Sequence, residues 1–413
     1  MKERGPKSKA LVWLMLALLS VYSAFLLWDI FVHRESKQWD FQTYYYAAKA
    51  HASDLNPYAL INLSEVAHKK IRLRFLYPPV TLWFFRLFAL FDYTTAYILY
   101  FLFKCFLLLG LVFLWAKVFL SHERDWVFYF FLLFAFNSAL YVDLVAGNIS
   151  LLEQFFIWLA FFFFLKKRFS LFCLCLLGAA LFKTTPIVFL ALLFFLPGKK
   201  KYVYAAAALS VFGAANLIFY RTDSLFAAYL FYARRKGPGI FSHSTLGFFL
   251  DLFGYFKEKE VISVPQALPS LLFYATIAVV LGVTFFRLKR IRFGRKLEDP
   301  RILIFLVCVI YVLVLPRFKD YSYVLMIVPA YYVIKRFVSE GSVYPWILIF
   351  FLSTPIHVNL PGFNGFFTFF WNYYPLFLAF VVWILYLFLL SSTKFPSAED
   401  ALLKPQPRFP HSA

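Results

Sequence analysis

Residues 95–120 read TAYILYFLFKCFLLLGLVFLWAKVFL, and this stretch decides the class of fold. A helix needs about 20 consecutive apolar residues to cross the hydrocarbon core of a bilayer, and this run is long enough. Similar runs recur along the chain, at about 10–32, 79–91, 127–145, 148–165, 171–197, 202–220, 267–286, 302–315, 321–334, 344–354 and 366–391. This repetition predicts a protein that crosses the membrane many times.

Composition supports the same prediction. Of the 413 residues, 62% are hydrophobic and only 15% are charged. Soluble domains carry nearer a quarter charged residues, so the composition leaves no room for a large soluble domain. We therefore predict an all-α polytopic membrane protein in which residues 1–390 form a single transmembrane domain. Residues 391–413, which contain four prolines, are predicted to be a disordered tail.

The formal net charge of +21 raises the question of nucleic-acid binding. The basic residues, however, lie in short clusters between apolar runs, as the positive-inside rule produces, and no nucleic-acid-binding motif accompanies them. We expect contact with anionic membrane lipids and no nucleic-acid partner.

The basic clusters also predict an orientation. Four basic residues precede the run 10–32, which we interpret as a retained signal anchor, so the N-terminus is expected in the cytoplasm. Later clusters mark cytoplasmic loops at 166–168, 199–201, 287–296 and 335–336. The C-terminal tail is then cytoplasmic as well.

The segment His33–Tyr77 is the longest polar stretch of the first half. We predict that it is an extracytoplasmic loop with two short helices, about Asp40–Ser53 and Ser64–Arg74, separated by a turn at Asn56-Pro57. The second piece is basic with interleaved apolar residues and should lie along the outer interface.

Two features of the apolar runs break the simple pattern. Three runs lie between Tyr77 and Gly147, and an odd number of crossings would put Gly147 on the wrong side, so one of them should not cross. The run 171–197 is interrupted by Lys183-Thr184-Thr185-Pro186 and should form two short helices.

Asp40 is the most suggestive single residue. It stands at the start of an apparent helix, where aspartate commonly caps the backbone. It could instead act as a general base. Transfer of a sugar from a lipid phosphate needs cations for the phosphate and one base for the acceptor hydroxyl, because the phosphate is already a good leaving group. Hydrolases, in contrast, use two carboxylates.

The predicted outer face is rich in cations, which suits an anionic head group such as a lipid phosphate. Each candidate also has an ordinary explanation. Lys183 could be an interfacial lysine, and Arg234, Arg317, Lys319 and His243 could be loop residues. The pair Gly147-Asn148 could be a plain turn, and Tyr44 and Tyr45 could belong to an interfacial aromatic belt. Together with Tyr77, these are our candidates for binding the donor phosphate or the substrate.

Several motifs together resemble glycosyltransferase family 87. They are Asp40-Phe41-x-x-Tyr44-Tyr45-x-Ala47-Ala48-x-Ala50, Asn56-Pro57-Tyr58, Phe75-Leu76-Tyr77-Pro78-Pro79, Gly147-Asn148, and Gly178 through Lys183 with Pro186. The resemblance runs from about residue 10 to residue 340. Two departures are Asn148-Ile149-Ser150, where the family commonly has Gln-x-Asn after the glycine, and Leu55, where it usually has glycine.

The resemblance implies a GT-C-type bundle of about 10 to 13 transmembrane helices in the inner (plasma) membrane of a bacterium. It further implies an inverting transfer that requires neither a metal nor another cofactor. The sugar, with mannose expected, would pass from a polyprenyl-phosphate donor to a hydroxyl of a glycolipid or glycan acceptor. The family's catalytic aspartate falls on Asp40.

Two other classes of function stay open on the sequence. A transporter or flippase for a lipid-linked anionic substrate would also place basic residues in broken helices. A non-catalytic subunit of an envelope-assembly complex is the third possibility.

Overall fold

The computed structural model describes residues 6–33, 36–222, 224–235, 242–258, 265–292, 299–338, 369–370 and 372–392. Within these ranges the regular structure is helical, apart from one isolated bridge between Ser242 and Lys319. The predicted all-α polytopic membrane protein is confirmed. The predicted run 344–354 and almost all of the predicted tail lie outside the described residues.

The α-helices have the following bounds: α1 Pro6–Val32, α2 Trp39–Ala52, α3 Leu60–Ala67, α4 Val80–Ala89, α5 Tyr93–Leu114, α6 Trp126–Ala146, α7 Ser150–Leu165, α8 Phe169–Phe182, α9 Lys200–Thr222, α10 Ser224–Arg235, α11 Thr245–Glu258, α12 Leu268–Arg292, α13 Pro300–Val314, α14 Ile327–Val338 and α15 Tyr374–Ser392. A π-helical turn, Trp115–Phe119, extends α5, and two 3₁₀ helices lie at Thr185–Phe195 and Asp320–Met326.

Five helical segments of the described chain are long and apolar enough to cross a membrane. They are Tyr93–Phe119, Val127–Ala146, Lys200–Ile218, Leu268–Lys289 and Tyr374–Ser391. Helices satisfy all their backbone hydrogen bonds internally, which is why such runs can enter hydrocarbon.

Between Tyr77 and Gly147, α6 is interrupted by non-helical backbone from Ala135 to Ser138, and the other run that departs from a straight crossing is the short helix α4. Its 10 residues rise only about 15 Å, half the thickness of the hydrocarbon core, so α4 cannot cross by itself. It packs on α2, with Leu82 and Phe85 buried and Trp83 and Leu87 exposed. Its exposed face thus carries large apolar side chains as well.

The predicted first loop contains two short helices, but the second was placed wrongly. It is α3, Leu60–Ala67, and it ends where His68 takes a left-handed backbone with a φ of 48°. The basic residues expected on this helix follow it in an irregular segment. Ile71 and Phe75 are fully buried there, so burial of these two side chains, rather than helix periodicity, directs this part of the chain.

Aromatic packing fastens α2 to the transmembrane helices. The Phe41 ring stacks on Tyr100 of α5 with centroids 4.3 Å apart, a geometry that contributes about 1 kcal/mol beyond area burial. Tyr97 of α5 donates a 2.7 Å hydrogen bond to the carbonyl of Ile30 in α1. The start of α2 is therefore held against the bundle.

The predicted interruption near Lys183 is present. Helix α8 ends at Phe182, Lys183 has an extended backbone, and a 3₁₀ helix begins at Thr185 with Pro186 in its first turn. Proline cannot continue the helical hydrogen bonding, which explains the break. The break frees the backbone and brings the Lys183 side chain to α7.

A second group of charged residues gathers far from this break, around the start of α13. Arg301 donates to both carboxylate oxygens of Glu123 at 3.1 Å, to Asp299, and to the carbonyl of Phe119 at 2.8 Å. Helix α13 then runs about 22 Å before the chain reaches Lys319. The Arg301 cluster therefore lies at the start of α13, and the segment that carries Lys319 follows the other end of this helix.

Candidate active site

Asp40 is the second residue of α2 and does not cap it. The N-cap position belongs to Gln38, whose backbone is left-handed with a φ of 49°, and no side chain makes a capping hydrogen bond. The Oδ2 atom of Asp40 instead accepts a 2.7 Å hydrogen bond from the Nδ2 atom of Asn148. The capping interpretation is therefore wrong, and the carboxylate is oriented from the turn between α6 and α7.

Asn148 is the centre of a polar network. Its Nδ2 atom also lies 3.0 Å from the hydroxyl of Tyr44 and 3.2 Å from that of Tyr77, while Tyr44 donates to Tyr77 at 2.8 Å. Its Oδ1 atom accepts from the backbone N–H and the hydroxyl of Ser150 at 2.9 and 2.7 Å. An amide has two N–H bonds for the three oxygens around Nδ2, so Asp40 and the tyrosines share its donors.

The turn that delivers Asn148 requires a glycine. Gly147 ends α6 with a left-handed φ of 65°, and a Cβ atom there would lie 2.8 Å from the Cβ atom of Gln38. Glycine is the residue that tolerates both the backbone conformation and the close approach. Gly147 thus lets the end of α6 touch the start of α2, where Asp40 lies.

Lys183 reaches the same network from the break after α8. Its Nζ atom donates 2.7 Å hydrogen bonds to the hydroxyl of Ser150 and to the carboxylate of Glu153. It also lies 5.6 Å from the centroid of the Tyr321 ring. These inward contacts do not fit a lysine that extends along the membrane surface. Ser150 and Asn148 connect Lys183 to Asp40.

The electrostatic surroundings of Asp40 combine burial with positive charge. Burial raises the pKa of Asp40 above the ordinary value for an aspartate. The hydrogen bond from Asn148 and three nearby positive charges lower it, without cancelling the effect of burial. The charges belong to Lys319, Lys104 and Lys183. A carboxylate with a raised pKa is a stronger base than an exposed one once it is ionised.

His243 and Lys319 lie on two segments that contact each other. The backbone of Ser242 pairs with that of Lys319. The Nδ1 atom of His243 contacts the Oδ1 atom of Asp320, and Tyr323 donates to the His243 carbonyl at 2.7 Å. The structure therefore places His243 and Lys319 on two paired segments. Asp320 is the acidic partner of His243.

Comparison with known proteins identifies the family. Residues 75–316 match glycosyltransferase family 87, which is more than half of the chain. The chain belongs to glycosyltransferase family 87. No curated protein and no solved structure matches it.

Family 87 membership makes this protein a membrane glycosyltransferase, which uses a sugar donor and an acceptor. The matched stretch contains Tyr77, Asn148, Lys183 and His243. It begins after Asp40 and ends before Lys319, so the matched stretch carries no information about these two residues. Their place in the site comes from the geometry described above.

The remaining candidates of this family 87 chain have different surroundings. Tyr45 is buried, donates a 2.8 Å hydrogen bond to the carbonyl of Phe91, and packs outside the Asn148 network. Arg317 lies two residues before Lys319 on the same segment. The side chain of Arg234 lies outside the described residues.

Other residues of the site were not among the candidates predicted from the sequence. Ser150 and Glu153 follow Asn148 closely on α7, and only the fold shows that they face Lys183. Lys104 is buried in α5 and forms an ion pair with Asp143 of α6. A lysine within an apolar run was a usable signal, because charges at membrane depth are costly and commonly functional.

An apolar cavity of about 370 Å³ lies beside the chain segments that carry Tyr77 and Lys183. Pro78 and Thr184 contribute to its wall, and they directly follow Tyr77 and Lys183 in the chain. The wall is completed by residues of α8, α9 and α10, among them Leu181, Ala215 and Phe226. The site of this glycosyltransferase thus combines charged groups with a neighbouring apolar space.

Proposed function

We propose that this membrane glycosyltransferase moves a sugar, most simply mannose, from a polyprenyl-phosphate donor to an acceptor hydroxyl, with Asp40 as the general base. The transfer would invert the anomeric carbon and occur on the extracytoplasmic side of a bacterial inner membrane. The acceptor would be a glycolipid or glycan. No metal or other cofactor takes part in the proposal.

The observation that carries this proposal is the contact between Asp40 and Asn148 beside several lysines. The 2.7 Å hydrogen bond occupies Oδ2 of Asp40 and leaves Oδ1 to take a proton from a hydroxyl. A carboxylate held in one orientation next to cations matches a reaction that needs one base and a stabilised phosphate leaving group. The carboxylate would attack no carbon itself, so a single displacement at the anomeric carbon inverts it.

The positive groups would bind the donor phosphate. Lys319 and Lys183 are among the charges nearest Asp40, and His243 lies on the segment that pairs with Lys319. Lys183 donates two hydrogen bonds in the structure, which leaves one of its three N–H bonds for a phosphate oxygen. Arg317, on the same segment as Lys319, is the further candidate for this role.

The apolar cavity would take the first part of the lipid chain of the donor. Its wall is formed mainly by aliphatic and aromatic side chains, and it begins at Pro78, next to Tyr77 of the network. A lipid-linked phosphate needs this combination, because its head group requires charged partners while its chain requires apolar surroundings like those of the bilayer. The adjacency of the two regions supports a lipid-linked donor.

Family membership favours transfer over the two rival functions. A transporter or flippase would use the same cations and cavity, but it would leave the donor intact and would not need an oriented carboxylate. A non-catalytic subunit would not turn over the donor by itself. Product formation by the isolated protein distinguishes transfer from both.

The test uses purified protein in lipid nanodiscs, with polyprenyl-phosphate mannose as the donor, a total bacterial lipid extract as the acceptor source, and mass spectrometry of the products. We expect a product one hexose heavier than an extract lipid. Asp40→Asn should reduce its formation by at least about 100-fold, the usual contribution of a general base.

Asp92→Asn is the matched control. Asp92 caps α5 through a hydrogen bond to the Thr95 N–H, and asparagine is an equally good cap. This variant should keep its activity. Wild-type transfer by Asp40→Asn would end the assignment of the base. A panel of other polyprenyl-phosphate sugars identifies the donor if mannose is not transferred.

A further inference from the structure

The buried ion pair of Lys104 and Asp143 contacts the turn that carries Asn148 of the candidate active site. The Nζ atom of Lys104 is 2.5 Å from Oδ1 of Asp143, and the two side chains are 1% and 0% exposed. Lys104 belongs to α5 and Asp143 to α6, both of which are among the helices that can cross the membrane.

Stability alone does not explain such a pair. Removing two charges from water costs several kcal/mol for each ion, and well-packed apolar residues in their place are often equally or more stable. Charged groups inside transmembrane segments are therefore candidates for a function. The contacts of Lys104 and Asp143 with the turn that carries Asn148 indicate a role in the candidate active site.

Asp143 is connected to the turn that carries Asn148. Its backbone carbonyl accepts hydrogen bonds from the N–H groups of Gly147 and Asn148 at 3.1 and 3.4 Å. The same carbonyl accepts a 2.5 Å hydrogen bond from Nζ of Lys104. Lys104 thus binds both the side chain and the backbone of the residue on which the turn rests.

The turn at 143–148 also contacts the start of α2. The N–H of Gln38 donates a 2.7 Å hydrogen bond to the carbonyl of Val145, and Gly147 packs against Gln38. Asn148 then donates to Asp40. A continuous path of contacts therefore runs from Lys104 through Asp143 and Asn148 to the Asp40 carboxylate.

We propose that Lys104 is a positioning residue: through Asp143 it holds the turn at 143–148 so that Asn148 keeps the Asp40 carboxylate oriented. This inference rests on the proposed function for its catalytic meaning. Lys104 acts through Asp143 and Asn148 and also contributes a positive charge that faces Asp40.

Several titratable groups face Asp40 and set the background for any test by pH. They lie on the helices α2, α5 and α6, on the segment that precedes α4, at the break after α8, and on the segment around Lys319. They are Tyr44, Tyr77, Tyr100, Lys104, Asp143, Lys183, Lys319 and Tyr321. Burial raises the pKa values of Tyr44 and Tyr77, which lie outside the spanning helices, above the ordinary value for a tyrosine.

The test measures the protonation of Asp40 directly, without substrate. Dicyclohexylcarbodiimide reacts with protonated carboxyl groups, so the fraction of Asp40 labelled, read by peptide mass spectrometry, falls as the pH rises. Lys104→Met should move the midpoint of this curve upward by about one pH unit, since Asp40 loses a facing positive charge and the support of Asn148. The acid limb of transfer activity should move with it.

Lys117→Met is the matched control, because Lys117 lies in the same apolar run but is exposed and more than three helical turns beyond Lys104. Its labelling midpoint should equal that of the wild type. A shift of the same size in this control, or an unchanged midpoint in Lys104→Met, would overturn the proposal.

The double variant Lys104→Met/Asp143→Asn keeps the proposal testable if the single variant fails to fold, because it leaves no unpaired charge. It still lacks the hydrogen bond from Lys104 to the Asp143 carbonyl. We expect a midpoint above that of the wild type, whereas a wild-type midpoint would show that the pair is only structural. If Asp40→Asn retains transfer activity, the proposed function fails, and the labelling curves still decide whether Lys104 controls Asp40.

Discussion

A 2.7 Å hydrogen bond joins Nδ2 of Asn148 to Oδ2 of Asp40 across 108 positions of the chain. It connects the turn between α6 and α7 to the first turn of α2. Because Asn148 also binds Tyr44, Tyr77 and Ser150, a change at this one side chain should affect the whole site.

Asn148→Ala removes the 2.7 Å hydrogen bond that the Asp40 carboxylate accepts from Nδ2 of Asn148. Its loss should raise the pKa of Asp40 further, since this bond favours the ionised form. We expect kcat/KM for sugar transfer to fall by about 10- to 100-fold and its acid limb to move to higher pH. Asn62→Ala, at a half-buried asparagine of α3 whose Nδ2 atom donates to the Asn56 carbonyl at 3.1 Å, is the control and should match the wild type in both measurements.

The wild-type enzyme should need a higher pH than an ordinary aspartate would require. Only ionised Asp40 can accept a proton, and burial raises its pKa, so kcat/KM should rise with pH through that raised value. A profile of kcat/KM between about pH 4 and pH 8 checks this. An acid limb at the pKa of an exposed aspartate would contradict the role of burial.

Asp40→Asn should be inactive but no less stable than the wild type at neutral pH. The pKa of Asp40 is raised in the folded state, so the protonated carboxyl favours folding. This contribution to stability is complete below the pKa that Asp40 has in the unfolded chain. That contribution is lost as the pH rises through the folded value. Asparagine has no charge to bury. Thermal unfolding in nanodiscs at neutral and acidic pH measures the difference, and a large loss of stability at neutral pH would argue for a structural role.

Lys183→Met should affect both stability and activity, and a second substitution should separate them. The variant leaves Glu153, which is 5% exposed, without its 2.7 Å partner, at a cost of about 3 kcal/mol. Lys183→Met/Glu153→Gln removes that unpaired charge and should recover most of the lost stability. Transfer activity should stay low in both variants if Lys183 binds the phosphate, whereas recovery of activity in the double variant would assign Lys183 to folding alone.

Ala215→Phe tests the apolar cavity, because Ala215 of α9 forms part of its wall. The larger side chain should raise the KM for a long-chain polyprenyl-phosphate donor by about tenfold, which corresponds to about 1.4 kcal/mol. A donor with a short isoprenoid chain should be less affected. Ala214→Phe places the same side chain on the exposed face of α9 and should leave both KM values unchanged. Equal effects of the two variants would rule out this cavity as the lipid site.

The match to family 87 and the geometry cover different parts of the site. The matched residues 75–316 include Asn148 and Lys183, and the motif around Asp40 precedes them. The contact between Asp40 and Asn148 links the two parts, which is why the proposal depends on this hydrogen bond more than on any other.

The helices and their interruptions were predictable from the sequence, because they depend on local chemistry. A long apolar run such as 95–120 satisfies its backbone hydrogen bonds within the helix, and Pro186 prevents α8 from continuing past Lys183. The bounds of α3 were not predictable in this way. Burial of Ile71 and Phe75 against other helices ends the periodic pattern that the basic residues suggested.

The site itself was decided by the tertiary structure. Tyr44 and Tyr45 are neighbours in one motif, yet they lie about 100° apart around α2, and only Tyr44 joins Asn148. Sequence spacing fixes this angle but not which face meets α6 and α7. The same holds for Lys104 and Asp143: each is visible as a charge in an apolar run, but their pairing depends on how α5 packs beside α6, which no local pattern encodes.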